Sequence, residues 1–132
     1  MSKIQRKIIR TDKAPKAIGP YSVGIKSGDF VFTSGQLGLD PASNELSPGG
    51  IQAETRQSLT NLKHILEAAG SSLGNVVKTT VFLRDMADFA LMNAVYAEFF
   101  QADQPARTTV GVAALPKGAA VEIEAVAVLT GG

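Results

Sequence analysis

Between Pro105 and Leu129 the chain runs through two β-prone segments separated by Leu115-Pro116-Lys117-Gly118, and the second of them alternates. Val121, Ile123, Ala125, Ala127 and Leu129 fall on one side of a strand, while Glu122, Glu124, Val126 and Val128 fall on the other, because strand side chains have a period of two. The wholly apolar side requires a hydrophobic layer over it. The other side starts polar and ends apolar, which calls for a different cover. Read as a pair of strands around the Leu115-Pro116-Lys117-Gly118 turn, the stretch sets the Arg107 guanidinium and the Glu122 and Glu124 carboxylates in or beside an apolar sheet. Charges are rare there without a partner or a ligand.

Upstream, residues 3–10 (Lys3-Ile4-Gln5-Arg6-Lys7-Ile8-Ile9-Arg10) read as a partly solvated first strand. Pro15, Gly19 and Pro20 make residues 14–21 an ordered loop ending on Tyr21. Residues 22–26 and 30–34 are short β-prone runs joined by Ser27-Gly28-Asp29, a hairpin turn in composition. A polar loop follows over residues 40–50. At residues 51–69 the spacing becomes helical: Ile51, Thr55, Leu59, Leu62, Leu66 and Ala69 share a face that leaves His64 in solvent, and Gly70 supplies the stop. Residues 76–83 form the next strand. Residues 86–100 form a second amphipathic helix with Phe89, Met92, Tyr96 and Phe100 inward and Asn93 among them.

The expected order is thus β, β, β, α, β, α, β, β in a single domain spanning residues 1–132, an α+β fold with two helices on one face of a single mixed sheet. The other face is left bare. Val126 and Val128 on that face point to subunit packing.

Composition removes several chemistries. No cysteine excludes disulfides, thiolate metal sites and cysteine nucleophiles, and a lone histidine leaves little for a zinc site or a triad. No metal is expected, and a reducing cytosol is the default compartment. GxxxxGK[ST] and GxGxxG are both absent, so nucleotide chemistry has no support. Lys3, Arg6, Lys7, Arg10, Lys13 and Lys16 face only Asp12, a basic start that suits a transit segment or a nucleic-acid arm but reads better as the first strand. No apolar run is long enough for a signal or a membrane span.

The candidate residues each carry two readings. Arg107 is either a fork for a carboxylate or phosphate, or half of a structural ion pair with an acid such as Glu122. Glu122 and Glu124 are either a solvated edge or a repelling pair, one of which keeps a raised pKa for proton transfer. Tyr21 is core or points its hydroxyl at a ligand. Asn93 is bonded to backbone or contacts substrate. Ser34, in Thr33-Ser34-Gly35-Gln36, lacks a nucleophile-elbow context and reads as a strand-end serine. Spacing alone supports a small anion-binding domain.

At residues 14–22 (Ala14-Pro15-Lys16-Ala17-Ile18-Gly19-Pro20-Tyr21-Ser22), at Thr33-Ser34-Gly35-Gln36, and from Pro105-Ala106-Arg107-Thr108-Thr109 through Leu115-Pro116-Lys117-Gly118 to Val121-Glu122-Ile123-Glu124-Ala125, the sequence resembles the RidA/YjgF family of enamine/imine deaminases. Glu54-Thr55-Arg56-Gln57 with Asn61-Leu62, and Asn93 before Tyr96, extend the match across nearly the whole chain. The resemblance implies a chorismate-mutase-like fold, a homotrimer packed through its sheets around a central barrel, and ligand clefts between subunits. It implies cofactor-free hydrolysis of 2-aminoacrylate, 2-iminopropanoate, 2-iminobutanoate and similar acids to 2-keto acids and ammonia, protecting the pyridoxal-phosphate enzymes that release them.

By the same resemblance Arg107 grips the substrate carboxylate and Glu122 positions the attacking water; Glu124 is expected to lie out of contact with the substrate. Tyr21 and Ser34 line the cleft from the adjacent subunit, Gly35 offers a backbone contact beside them, and Asn93 stands at the site's edge. Thr109 occupies a position whose backbone helps hold ligand and water, commonly a cysteine or serine, so its methyl would narrow the cleft. Gln104, where an aromatic is usual, and Ser43-Asn44-Glu45 in place of Thr-Gly-Glu are departures at the rim. Two rival roles attach to the family: a ribonuclease or translation inhibitor, for which only the basic first strand speaks, and a non-catalytic keto-acid binder or regulator.

Overall fold

The computed structural model describes residues 5–130. Its strands are β1 (Arg6–Ile9), β2 (Gly24–Ser27), β3 (Phe30–Thr33), β4 (Gln36–Leu37), β5 (Val76–Leu83), β6 (Ala106–Gly111) and β7 (Val121–Val128), and its helices are α1 (Ile51–Ala68) and α2 (Phe89–Phe99). All the strands join one mixed sheet in the order β1-β2-β3-β7-β5-β6, with β4 also pairing with β7. Among the described residues no helix is long and apolar enough to cross a membrane.

The core lies between one face of this sheet and the two helices. Leu59, Leu62, Ile65 and Leu66 of α1 and Met92 and Tyr96 of α2 close over Val81, Val121, Ile123, Ala125 and Ala127, as the alternation of β7 requires. All six residues assigned to the inward stripe of α1 are buried, and Gly70 takes a positive φ of 84° just beyond the helix. The opposite face is open: Ile8, Phe30 and Phe32 remain 44%, 44% and 45% exposed. Phe30 pairs with Val128 and Phe32 with Val126, so these side chains form one apolar patch. Burying what remains exposed of each would be worth about 1 kcal/mol.

Four local expectations change. The last two strands are not neighbours: β6 runs parallel to β5, and β5 lies between β6 and β7, because α2 serves as the crossover that parallel strands require. Phe89 is 37% exposed rather than inward, since a short 3₁₀ turn over Met86–Asp88 precedes α2 and leaves Phe89 at its first position. His64 is half-buried, with Nδ1 3.0 Å from the Lys13 carbonyl oxygen, which ties α1 to the start of the 14–21 loop. The first strand is Arg6–Ile9; Lys3 and Ile4 lie outside the described residues.

β4 was not expected as an element, and it produces a bulge. Phe32 faces Val126 and Gln36 faces Ile123, so four steps along β3 and β4 oppose three along β7. The extra residue falls within Thr33-Ser34-Gly35, which turns Gln36 and Leu37 inward and re-aims the segment before them.

Candidate active site

The register fixes which way the charged residues point. Thr79 of β5 faces Arg107 on one side and Ala125 on the other, and Val81 likewise faces Thr109 and Ile123. Thr79, Val81, Ile123 and Ala125 are buried beneath the helices, so Arg107 and Thr109 project to the helix side. Glu122 alternates with Ile123 and projects to the bare side. Strand β6 is at the edge, and β7 is two strands in. The side chains expected to share a substrate therefore separate into two clusters on opposite faces of one chain.

The first cluster surrounds Glu122. Tyr21, Ser34, Gly35, Lys117 and Glu122 line a hollow of about 340 Å³. A Cβ atom on Gly35 would sit 2.7 Å from the Glu122 carboxyl carbon, so only glycine lets the carboxyl come this near the bulged backbone. Ser34 donates its hydroxyl to the Ser22 carbonyl at 2.5 Å and its N–H to Val23 at 2.9 Å, which pins the loop carrying Tyr21 against the bulge. The Tyr21 ring is 49% exposed and belongs to the surface, not the core. Lys117, at a left-handed φ of 58°, donates to the Asn44 carbonyl at 3.1 Å and closes the rim.

Glu122 is half-buried rather than a solvated edge, whereas Glu124 is exposed. Burial, and then repulsion from Glu124, push the Glu122 carboxyl above its ordinary value. The repelling-pair reading thus applies to Glu122, with desolvation the larger cause.

The second cluster surrounds Arg107. Asn93, Tyr96, Gln104 and Arg107 line a hollow of about 350 Å³ between α2 and β6. The guanidinium carbon lies 4.7 Å from the centre of the Tyr96 ring and 5.6 Å from that of Phe89. Stacking holds the charge without using its N–H donors. Among the described residues no carboxylate comes within 4.0 Å of Arg107, so the ion pair with Glu122 does not form; Arg56 with Glu98 is the pair observed.

Tyr96 is itself fixed by a 2.7 Å hydrogen bond with Thr79, both groups being buried. Burial raises the Tyr96 phenol above its ordinary value against the smaller opposing effects of Thr79 and Arg107. Asn93 Oδ1 and Thr109 Oγ1 are buried without a hydrogen-bond partner, so Asn93 is not bonded to backbone as its simpler reading held.

The two clusters have complementary chemistry. One offers a carboxyl with raised proton affinity beside a close backbone; the other offers an always-charged fork with unspent donors beside orphaned polar atoms. Sequence reasoning missed the aromatic support of Arg107, although Tyr96 lies three residues beyond Asn93 and so on its helical face. A larger hollow of about 560 Å³ lies between β1 and the 10–23 segment, but it gathers no comparable set of groups.

Residues 11–129 match the protein family described as endoribonuclease L-PSP. A mouse protein named 2-iminobutanoate/2-iminopropanoate deaminase is 55% identical over 128 residues, spanning 97% of this chain and 95% of the mouse chain. The crystal structure of RidA from the Antarctic bacterium Psychrobacter sp. PAMC 21119 is 49% identical, with a TM-score of 0.90 over 93% of this chain and 99% of that one. Escherichia coli TdcF, solved with bound serine, is 50% identical with a TM-score of 0.90 over 94% of this chain and 99% of that one. On the extent of these matches and the shared mixed sheet with its paired helices, the chain belongs to the RidA/YjgF family.

Proposed function

We propose that the protein is a deaminase that hydrolyses 2-enamine and 2-imine acids, 2-iminopropanoate and 2-iminobutanoate among them, to 2-keto acids and ammonia. The site is built between copies of the chain. In this reading the Arg107 cluster of one subunit faces the Glu122 cluster of the next, within a homotrimer packed through the bare sheet face. The observation that carries the proposal is the separation of two complementary half-sites on one chain, one with a half-buried carboxyl of raised proton affinity and the other with a guanidinium unpaired among the described residues, beside the orphaned Asn93 Oδ1 and Thr109 Oγ1. The activity named for the mouse relative, and the serine bound to TdcF, an amino acid with a carboxylate, support the substrate class.

The chemistry follows from the groups. An enamine acid such as 2-aminoacrylate first takes a proton at carbon to become the iminium, the protonated form of the imine. Arg107 holds the carboxylate through two parallel N–H donors. Glu122 accepts a proton from water as the oxygen attacks the imine carbon, giving a tetrahedral carbinolamine. The protonated Glu122 then returns that proton to nitrogen, the C–N bond breaks, and ammonia departs as the carbinol hydroxyl gives its proton to the Glu122 carboxylate and the carbonyl forms. A carboxyl with raised affinity for its proton is better suited to returning it than an ordinary surface glutamate. Asn93, Thr109, Tyr21 and the Gly35 backbone complete the cleft around the imine. No cofactor is needed for this sequence of steps. A cytosolic location belongs to the same proposal, supported by a chain without cysteine.

The test is to generate 2-aminoacrylate with a serine dehydratase and follow ammonia and pyruvate with and without the protein. Acceleration that disappears in Arg107→Ala supports the reading; no acceleration, or acceleration indifferent to that change, sinks it. The family's description favours one alternative, RNA cleavage. Its mark would be cleavage lost when Arg6, Lys7 and Arg10 are neutralised and unaffected by Glu122→Gln.

A further inference from the structure

Helix α1 carries a polar ridge on its buried face. Glu54, Ser58 and Asn61, at helical spacings of four and three, are 8%, 0% and 0% exposed. A helix that only had to cover a sheet would use apolar side chains here, as it does at Leu62, Ile65 and Leu66. Buried polar groups are costly unless bonded, so what the ridge touches explains its presence.

Each member bonds to backbone beside the Glu122 cluster. The Ala120 N–H donates to Glu54 Oε1 at 2.8 Å. Ser58 donates to the Gln36 carbonyl at 2.7 Å. Asn61 donates through Nδ2 to the carbonyls of Leu37 at 3.2 Å and Leu39 at 2.9 Å, and its own Oδ1 accepts from Gln57 at 2.9 Å, which orients the amide. Helix and strand meet without a side chain between them, since a Cβ on Gly38 would lie 2.5 Å from the Glu54 carbonyl oxygen.

Strand β4 needs such holding. It pairs with β7 only at Gln36 and Leu37, directly after the bulge. Gln36 follows Gly35, and Ala120 precedes Glu122 by two residues, so both partners of the Gly35–Glu122 approach are anchored to one helix.

We infer that Glu54, Ser58 and Asn61 are positioning residues that set the placement of Glu122 against Gly35 for the reaction. The inference rests on the reading of Glu122 as the water-activating group. None of these bonds reaches β6 or α2, which carry Arg107 and Asn93. The ridge therefore governs the chemical step and leaves the grip on the substrate carboxylate alone.

The experiment is steady-state imine hydrolysis by Ser58→Ala, Asn61→Leu, Glu54→Ala and Glu54→Gln, each assayed below its measured Tm and in its confirmed association state. Displacing a catalytic group by a fraction of an ångström should lower kcat by about tenfold or more in the first three, with KM held within about twofold. Glu54→Gln keeps an oxygen for the Ala120 N–H and should recover most of what Glu54→Ala loses. If Asn61→Leu does not fold, Ser58→Ala decides. An unchanged kcat in folded Ser58→Ala, or a raised KM at unchanged kcat, overturns the inference. Glu122→Gln is run alongside: loss of kcat there with Ser58→Ala unaffected rejects the positioning role alone, whereas an active Glu122→Gln rejects the reading of Glu122 and the ridge's role with it.

Discussion

Gly35 and Glu122 stand so close that a single added carbon on the glycine would fall 2.7 Å from the carboxyl carbon and 2.8 Å from Oε2. The atoms in the way are the end of a flexible side chain, so Gly35→Ala should cost little stability. The carboxyl has to swing aside to admit the methyl. Loss of kcat by about a hundredfold, with Tm nearly unchanged, is the expected pairing. A fully active Gly35→Ala would show that this approach has no part in the reaction.

Glu122 should oppose folding once ionised. Its carboxyl binds a proton more tightly in the folded chain than in the unfolded one, because its pKa is raised above the ordinary 4.5. Below that value both states are protonated and the residue is neutral to stability. As pH rises from there to the folded value a cost accumulates, and it is then constant. Glu122→Gln should therefore raise Tm at pH 7 while removing activity, and the gain should vanish near pH 4. Thermal unfolding of both proteins across this range measures it; an equal gain at pH 4 and pH 7 would contradict the assignment.

Tyr96 supports Arg107 by its ring and holds itself by its hydroxyl. Tyr96→Phe keeps the ring and leaves Thr79 without its partner, so stability should fall by about 1–3 kcal/mol while KM stays close to that of the parent. Tyr96→Leu removes the stacked face and should raise KM by about tenfold. Urea unfolding and initial-rate kinetics separate the two effects.

Two inactive variants should rescue one another. Arg107→Ala leaves the Glu122 cluster intact and Glu122→Gln leaves the Arg107 cluster intact. When equal amounts are unfolded together and refolded, random mixing should restore about a quarter of the parental sites. Each variant refolded by itself should stay inactive. Failure of the mixture to recover activity, with mixed assemblies verified by mass, would place both clusters in a single-chain mechanism.

The apolar patch supplies the assembly test. Phe32→Lys puts a charge at the centre of the bare face beside Val126. Light scattering should show a smaller particle, and activity should fall with the mass. An unchanged mass would exclude this face as the contact.

Much of the architecture was legible from periodicity. The alternation of β7 disclosed a covered face and an open one, and the stripe of α1 identified the layer above. Pairing was harder to read, because it is a long-range choice. The turn at Leu115-Pro116-Lys117-Gly118 made β6 and β7 look like a hairpin, although the strand–helix–strand order of β5, α2 and β6 contained the signal for parallel pairing. Strand β4 spans only Gln36 and Leu37, too short for any periodic signature, so the bulge before it could not be foreseen. That is why Gly35 drew notice as a motif glycine and not for the carboxyl pressed against it. Nor could a local pattern show that Arg107 and Glu122 point away from each other, since this depends on the strand between them. Phe89 misled for a simpler reason: the helical period does not report where the first turn begins.

The two-faced arrangement has a genetic consequence. In the proposed closed ring of three, every chain would lend its Arg107 face to one site and its Glu122 face to another. A subunit damaged on both faces would therefore silence two sites instead of one, and an allele encoding it would suppress a healthy copy expressed beside it. Damage confined to one face would silence one site, in proportion to its dose. Dominance among inactive alleles would thus report how many faces of the sheet a lesion reaches, not how severely it impairs the isolated chain.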